Sequence, residues 1–327
     1  MQEKNILNLR IQVEELYKTV VKVSSFVLLL LLTTSCKSQE TTMMHTPNYQ
    51  SLEVRDGVSI DYLEAGGEKP VMIMVHGLAS NAKAYLKLIP ELEDQFHIYA
   101  IDLPKFTDRE DKSLVGMESF ADLIHDFMDK KGIQTVTLCG HSMGGQVAMH
   151  FSKKYPDSVD QLVLLAPAGL EKFSEKDYTW FKTYITPQTY LALPDPMIKR
   201  NFDVNFYGGQ LPEDASFMFE DRMKIKEDST TYTRYIDYVV HSIFAMLDEP
   251  ISDFQEDITT PTLIMYGDQD QLIPNKILHP DMSEQTLQEE ADKIPNASFS
   301  TIDNAGHFLQ WDNPQQVAER IIHFIID

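Results

Sequence analysis

Residues 135–155, TVTLCGHSMGGQVAMHFSKKY, join a short apolar run to a segment with helical spacing through a glycine-rich turn. Residues 135–139 predict a buried strand, and the residues after the turn predict a helix. Ser142 stands between Gly140 and Gly144 in the pattern Gly-X-Ser-X-Gly, which is weak alone because glycine is the ordinary residue of turns. On a sharp strand-to-helix turn, however, a strained backbone lifts the serine hydroxyl out of the sheet. We therefore interpret Ser142 as a nucleophile and the glycines as residues that make room for the turn.

The composition of the 327-residue chain, with 43% hydrophobic and 24% charged residues, is typical of a folded globular protein. The formal net charge of -22 argues against nucleic acid as a partner, because phosphates would be repelled. It favours neutral or cationic small substrates. The sequence contains no metal-ligand cluster, phosphate-binding loop or dinucleotide fingerprint, so we expect neither a metal nor a cofactor.

Short apolar runs recur along the chain with helical segments between them. An alternating stretch over 52–67 predicts a hairpin that turns at Asp56-Gly57. Further strands are predicted at 71–75, 96–101, 135–139, 161–166, 261–267 and 297–303. Continuous apolar strands that alternate with helices predict an α/β protein with a parallel sheet covered on both faces.

Residues 169–250 interrupt this alternation. They hold 15 of the 33 aromatic residues of the chain and no strand of the preceding type. Because this segment lies between two predicted sheet strands, we interpret it as a helical insert that caps the sheet. The alternative is a set of ordinary helices that completes the core.

The beginning of the chain predicts a signal peptide over residues 1–35. Residues 23–32, VSSFVLLLLL, are too short to span a bilayer but suit the apolar part of a signal peptide. Lys18 and Lys22 supply positive charge just before this run. The alternative is a buried core helix.

Small polar residues then lead to Cys36, in a pattern that resembles the lipid-modified cysteine of bacterial lipoproteins, although Thr33 stands where leucine is usual. A polar tether is predicted over 36–50. We expect a lipid-anchored protein of the bacterial cell envelope, and Lys37 after the cysteine favours the outer membrane over the inner one.

A serine nucleophile needs a base, and the base needs an acid to orient it. His307 follows the last predicted strand in the loop DNAGHFLQWDNP, where catalytic groups gather, whereas His323 lies on a helix pattern. Asp268 and Asp270 both follow a buried strand in LIMYGDQDQLIP. The chain order serine, acid, histidine suits this type of turn. We select His307 as the base and Asp270 as the acid, with Asp268 as the second choice.

Two backbone N–H groups are required to stabilise the negative charge that develops on the substrate. Met143, directly after the serine, supplies one of them. Leu78 is the candidate for the other, because it follows His76-Gly77 at the end of a predicted strand.

With these motifs, residues 52–327 resemble the α/β-hydrolase superfamily, in the branch of single-chain esterases and lipases. The resemblance implies a mostly parallel eight-stranded sheet with helices on both faces, formed by residues 51–168 and 251–327, and a helical cap. It also implies that Ser142, Asp270 and His307 are the catalytic residues and that the Leu78 and Met143 amides form the oxyanion hole.

We therefore expect a serine hydrolase that cleaves small carboxylic esters with an apolar acyl or aryl group through an acyl-enzyme. Lipidated Cys36 would attach it to the membrane. One alternative is a carbon–carbon bond or amide hydrolase with the same catalytic residues. The other is a non-catalytic envelope lipoprotein that binds a ligand.

Overall fold

A computed structural model of the chain describes residues 49–104 and 114–326. The predicted signal peptide, Cys36 and nearly all of the predicted tether lie outside the described residues. Among the described residues, no helix is both long and apolar enough to cross a membrane.

The strands of the described part form one eight-stranded sheet with the order β1-β2-β4-β3-β5-β6-β7-β8. Their bounds are β1 Gln50–Arg55, β2 Val58–Ala65, β3 Val71–Val75, β4 His97–Ile101, β5 Val136–His141, β6 Val159–Leu165, β7 Thr262–Gly267 and β8 Ala297–Ile302. The predicted hairpin is present as the antiparallel pair β1–β2, and β2 also pairs antiparallel with β4. The pairs from β4 to β8 are all parallel. The predicted mostly parallel sheet is confirmed.

Helices occupy most of the connections between these strands. The α-helices of the described part are α1 Ile89–Leu92, α2 Met117–Lys131, α3 Met143–Lys154, α4 Glu175–Tyr184, α5 Pro187–Leu191, α6 Asp195–Asp203, α7 Ser216–Lys226, α8 Ser229–Asp248, α9 Glu284–Ala291, α10 Leu309–Asp312 and α11 Pro314–Ile326. Short 3₁₀ turns lie at Ala82–Tyr85, Pro156–Ser158, Tyr207–Gly209, Glu213–Ala215, Ile251–Asp253 and Gln255–Asp257.

Local sequence signals explain where several helices begin and end. Helix α2 ends at Gly132, whose φ of 70° is accessible to glycine and whose N–H donates to the last carbonyls of the helix. Helix α4 begins with a capping box in which Ser174 and Asp177 bond each other's backbone N–H. Helix α11 begins at Pro314, the position where a missing N–H costs least.

Both faces of the sheet are covered. Every residue of β5 and of β7 is buried, and alternate side chains of a strand point to opposite faces, so neither face meets solvent there. Helix α2 packs on α3, which packs on β5 and β6, whereas α11 packs on α1. The centre of the sheet is therefore a rigid support for the loops that leave its strand ends.

Helices α4–α8 occupy the segment between β6 and β7 for which the sequence predicts a cap. The side chain of Gln146 in α3 donates to the carbonyls of Met246 and Glu249 at 2.9 and 2.8 Å. His150 donates to the Glu249 carbonyl at 3.0 Å. The end of α8 is thus tied to the helix that follows the Ser142 turn. That this segment acts as a cap stays a prediction.

Gly140 and Gly144 lie where α3 approaches two strands. A Cβ atom on Gly140 would overlap the Gly144 carbonyl, and a Cβ atom on Gly144 would overlap the Val75 carbonyl at the end of β3. From the sequence we interpret both glycines as residues that make room for the turn itself. For Gly144 the clash is instead with the neighbouring strand, because β3 and β5 are paired with Val75 opposite Gly140.

The substitution Gly144→Ala is expected to lower the free energy of unfolding by about 1–3 kcal/mol or more, because the added methyl group must push α3 away from Val75. Gly67→Ala is the matched control, since a Cβ atom there meets no atom within 4 Å. Its effect should stay within about 0.5 kcal/mol. Urea unfolding measures both, and equal stability of the two variants would contradict the packing described above.

Candidate active site

Ser142 lies at the junction of β5 and α3 with φ 53° and ψ −118°. Such a conformation costs a residue with a Cβ atom about 1–3 kcal/mol and persists only where the surroundings enforce it. The Ser142 N–H donates to the Leu165 carbonyl at 2.9 Å, and the Ser142 carbonyl accepts from Ala168 at 3.0 Å and from Gly145 at 2.9 Å. The turn holds the half-buried Ser142 at the wall of a large cavity.

His307 and Asp270 form a buried hydrogen-bonded pair in two neighbouring loops. His307 Nδ1 donates to Asp270 Oδ2 at 2.8 Å, and the two side chains are 2% and 3% exposed. The other carboxylate oxygen, Oδ1, accepts from the N–H groups of Leu272 and Ile273 at 2.8 and 3.0 Å. Because Nδ1 carries the proton, Nε2 keeps the lone pair of a base. His307 lines the same cavity as Ser142.

Asp268, the second candidate for the acid, has a different partner. Its Oδ1 accepts from the Ala305 N–H at 3.0 Å. Ala305 lies two residues before His307, in the loop after β8 that carries this histidine (the histidine loop). Asp268 therefore supports the backbone of the histidine loop, whereas Asp270 faces the imidazole ring. The geometry therefore favours Asp270 as the partner of His307.

The loop after β3 lies directly beside Ser142. A Cβ atom on Gly77 would stand 3.0 Å from the Ser142 Cβ, and the next residue, Leu78, lines the cavity. His76 Nε2 accepts from the Leu103 N–H at 3.0 Å, and its Nδ1 donates to the Gly77 carbonyl at 2.7 Å. These two hydrogen bonds hold the His76 ring in one neutral tautomer, and through them His76 fixes the loop.

Met143, the other predicted oxyanion residue, is the first residue of α3. The first N–H groups of a helix have no acceptor within the helix, and they lie at the positive end of its dipole. The structure therefore places both residues, Leu78 and Met143, beside Ser142. That their N–H groups form an oxyanion hole stays a prediction.

His141 is a site residue to which the sequence analysis gave no role. Its Nε2 donates to the His307 carbonyl at 2.9 Å, and its ring centre lies 4.8 Å from that of His307. Burial, together with the nearby His307, lowers the pKa of His141 well below its usual value, so the ring is neutral. His141 ties the end of β5 to the histidine loop. The only sequence signal was its place next to the serine in GHSMGG.

Asp312 connects the histidine loop to the helical segment between β6 and β7. Its Oδ2 accepts from the Gly306 N–H and from the Tyr207 N–H, both at 2.8 Å. In addition, the Phe308 N–H donates to the Asn205 carbonyl at 3.1 Å. Phe308, after His307, is therefore bonded directly to Asn205, whereas Gly306, before it, is connected to Tyr207 through the Asp312 carboxylate.

The cavity that contains Ser142 and His307 has a volume of about 1080 Å³. Most of its wall away from these residues comes from the segment between β6 and β7. Aromatic side chains of that segment line it, namely Phe173, Tyr178, Trp180, Phe181, Tyr190, Phe202 and Tyr235. A site of this size and apolarity suits a small molecule with a large hydrophobic part.

Within residues 49–104 and 114–326, no group of three or more histidine, cysteine, aspartate and glutamate side chains is arranged to hold a metal ion. The described cysteine, Cys139, is buried in β5. Besides Ser142 and His307, charged side chains line the described cavity, among them Glu171, Asp221 and Arg222.

Comparisons with known proteins agree with this architecture. The family model of the alpha/beta hydrolase fold matches residues 70–314. The chain is 25% identical over 280 residues to the uncharacterized hydrolase YugF of Bacillus subtilis, covering 83% of this chain and 95% of that protein. It is 24% identical over 274 residues to the human monoacylglycerol lipase ABHD6, covering 79% of this chain and 76% of the lipase.

A solved structure of a thermophilic esterase from Thermogutta terrifontis has the same fold. The TM-score is 0.64 at 20% identity, with 85% of this chain and 98% of the esterase covered. Because the family model spans most of the chain and the sheet has the order and direction described above, the protein belongs to the α/β-hydrolase family.

Proposed function

We propose that the protein is a serine hydrolase that cleaves carboxylic esters with an apolar acyl or aryl group. The observation that carries the proposal is the position of Ser142 on a turn with positive φ, in one cavity with the buried His307–Asp270 pair. The similarity to a monoacylglycerol lipase supports an ester as the substrate.

In the acylation step, the Ser142 Oγ attacks the ester carbonyl carbon while its proton passes to His307 Nε2. The carbonyl oxygen becomes an oxyanion, which the Leu78 and Met143 N–H groups stabilise. The tetrahedral intermediate collapses, the bond to the alkoxy oxygen breaks, and the departing alcohol takes the proton from His307. Asp270 keeps the imidazole in the required tautomer and stabilises its charged form.

In the deacylation step, a water molecule gives a proton to His307 Nε2 and attacks the acyl-Ser142 carbonyl. The second tetrahedral intermediate collapses and breaks the bond to Oγ. Ser142 recovers its proton from His307, and a carboxylic acid leaves. The enzyme returns to its starting state without a cofactor.

The aromatic wall of the cavity supports an apolar substrate group. An enclosed aromatic side chain offers about 150–250 Å² of apolar contact area, and several such side chains face the cavity from the proposed cap. A sugar placed against these aromatic side chains would leave hydroxyls without partners.

The catalytic proposal predicts that Ser142→Ala and His307→Ala each lower kcat by roughly three to six orders of magnitude on a p-nitrophenyl ester. The double variant should be scarcely slower than either single variant, because the residues act as a unit. The wild-type rate on this ester should also exceed its rates on an amide and on a diketone. A faster rate on either of these would show that a different bond is the preferred one.

The two aspartates provide a matched comparison for the acid. Asp270→Asn should lower kcat by roughly four orders of magnitude through loss of imidazole orientation. Asp268→Asn retains an oxygen that can accept from the Ala305 N–H, so its kcat should stay within about tenfold of the wild type. A crippled Asp268→Asn enzyme beside a mildly affected Asp270→Asn enzyme would make Asp268 the acid.

The role of the proposed cap is tested with its aromatic residues. Trp180→Ala and Tyr190→Ala should raise KM and change the preference among p-nitrophenyl esters of increasing chain length, because both side chains line the cavity. Tyr207→Ala is the matched control, since Tyr207 is 43% exposed and does not line the cavity. An unchanged chain-length profile in the first two variants would limit these aromatics to a packing role.

We also propose that Cys36 is lipidated and anchors the protein to the bacterial envelope, with the outer membrane favoured. The full chain, expressed in a bacterial host, should partition into the detergent phase, and Cys36→Ala should move it to the aqueous phase. Cys139→Ala should leave the partition unchanged, because Cys139 is buried in β5. Detergent partition of a stably expressed Cys36→Ala protein would contradict the anchor.

A further inference from the structure

Arg222 is a buried cation in the wall of the substrate cavity. It lies in α7, is 8% exposed, and lines the same cavity as Ser142 and His307. A guanidinium group keeps its charge at every physiological pH. A buried charge is costly unless a counter-charge and hydrogen bonds compensate it.

Among the described residues, the hydrogen-bond partners of Arg222 are two phenols. Its Nη1 donates to the Tyr235 hydroxyl at 3.2 Å and its Nη2 to the Tyr232 hydroxyl at 3.5 Å. The guanidinium carbon lies 4.6 and 5.4 Å from the centres of these two rings. Burial raises the pKa of Tyr235, although Arg222 acts in the opposite direction, and the phenol stays neutral. The tyrosines therefore orient the guanidinium without neutralising it.

No carboxylate of the described residues pairs with Arg222. The adjacent Asp221 bonds Lys83. Glu171, the other acidic residue of the cavity wall, accepts from the Asn275 N–H and from His279. Within the described part of the chain, the buried Nε atom of Arg222 has no hydrogen-bond partner at all. Among the described residues, Arg222 therefore has no acidic counter-charge, and one of its donors, the buried Nε–H, has no acceptor.

The position of Arg222 relates it to the proposed reaction centre. The Tyr235 hydroxyl, which accepts from Arg222, donates to the Ala79 carbonyl at 3.4 Å. Ala79 follows Leu78, whose N–H is proposed for the oxyanion hole. Arg222 is therefore two hydrogen bonds from the loop beside Ser142, and both residues line one cavity.

We propose that Arg222 binds an anionic group of the substrate, so that the preferred ester carries a carboxylate or phosphate in addition to its apolar part. This inference rests on the proposed ester hydrolysis and names its substrate class more closely. The net charge of -22 favours neutral or cationic substrates for the protein as a whole. Within the cavity, the positive charge of Arg222 reverses that preference. Arginine is suited to the task because its planar fork matches the oxygens of both anions.

The test compares two esters that differ only at the far end, the mono-4-nitrophenyl ester of adipic acid and its methyl ester. Release of 4-nitrophenolate gives kcat/KM for both. The wild-type enzyme should prefer the anionic ester roughly 10- to 100-fold, the range of a charge-assisted hydrogen bond. Arg222→Gln should abolish the preference, and Arg222→Lys should retain part of it. A second pair of 4-nitrophenyl esters carries a phosphonate or its diethyl ester at the far end. Comparison of the two pairs distinguishes phosphate from carboxylate recognition.

Arg200→Gln is the matched control, because Arg200 lies on α6, is exposed and bonds the Gly209 carbonyl. It should leave the ratio of the two rates unchanged. A merely structural Arg222 would give a different pattern, in which Arg222→Gln lowers both rates equally and the wild type shows no preference. That pattern, or a preference that survives in Arg222→Gln, overturns the inference while ester hydrolysis itself stands.

A binding measurement separates the two proposals if neither ester is cleaved. Calorimetric titration with 4-phenylbutyrate and with 4-phenyl-1-butanol should show roughly tenfold tighter binding of the carboxylate to the wild type. Arg222→Gln should remove this difference. Equal affinities for the carboxylate and the alcohol in the wild type overturn the anion site, whatever the outcome of the ester assays.

Discussion

The positive φ of Ser142 is the constraint on which the rest of the site depends. This conformation costs about 1–3 kcal/mol, so a turn without further support would change to one with negative φ. Two hydrogen bonds oppose that relaxation, one from the Ser142 N–H to the Leu165 carbonyl and one from the Ala168 N–H to the Ser142 carbonyl. Both partners belong to the end of β6 and the residues after it. The absence of a side chain at Gly144 allows α3 to begin directly against β3. Buried strands on both sides of β5 therefore maintain the strained turn.

The edge of the sheet at which β5 ends also positions the other groups of the candidate site. Parallel strands end at one edge, so the loops after β3, β5, β7 and β8 meet there. Hydrogen bonds between these loops then fix their relative positions, as His141 does for His307 and Asp268 does for Ala305. Asp312 extends the network to residues 205–207. A displacement of that segment would consequently strain the backbone that carries His307.

Local patterns were sufficient to predict the strands, the helices around Ser142 and the loops that carry Asp270 and His307. The predicted runs at 71–75 and 261–267 agree with β3 and β7 within one residue. The position of β4 between β2 and β3 did not follow from the sequence, because strand order depends on pairing between distant residues. From the sequence we select Asp270 and keep Asp268 as the second choice, because the sequence does not show which carboxylate the backbone turns toward His307.

The contacts of Arg222 and His141 are further examples of features that local sequence patterns do not predict. Arg222 stands in the run FEDRMKIK, where charged side chains are usually solvated. The packing of α7 on α8 instead places it against Tyr232 and Tyr235. His141 bonds a carbonyl that is 166 residues away. Contacts of this kind arise from the tertiary fold, so no periodicity or short motif predicts them.

The central claim is that Ser142 is an activated nucleophile, and covalent labelling with a fluorophosphonate tests it most directly. Intact-mass analysis of the folded wild-type protein should show one adduct, and peptide mapping should place it on Ser142. Ser142→Ala and heat-denatured wild-type protein should remain unlabelled, since one lacks the hydroxyl and the other lacks the His307–Asp270 pair that activates it. A folded wild-type protein that does not react, or a Ser142→Ala protein that reacts equally, would contradict the account.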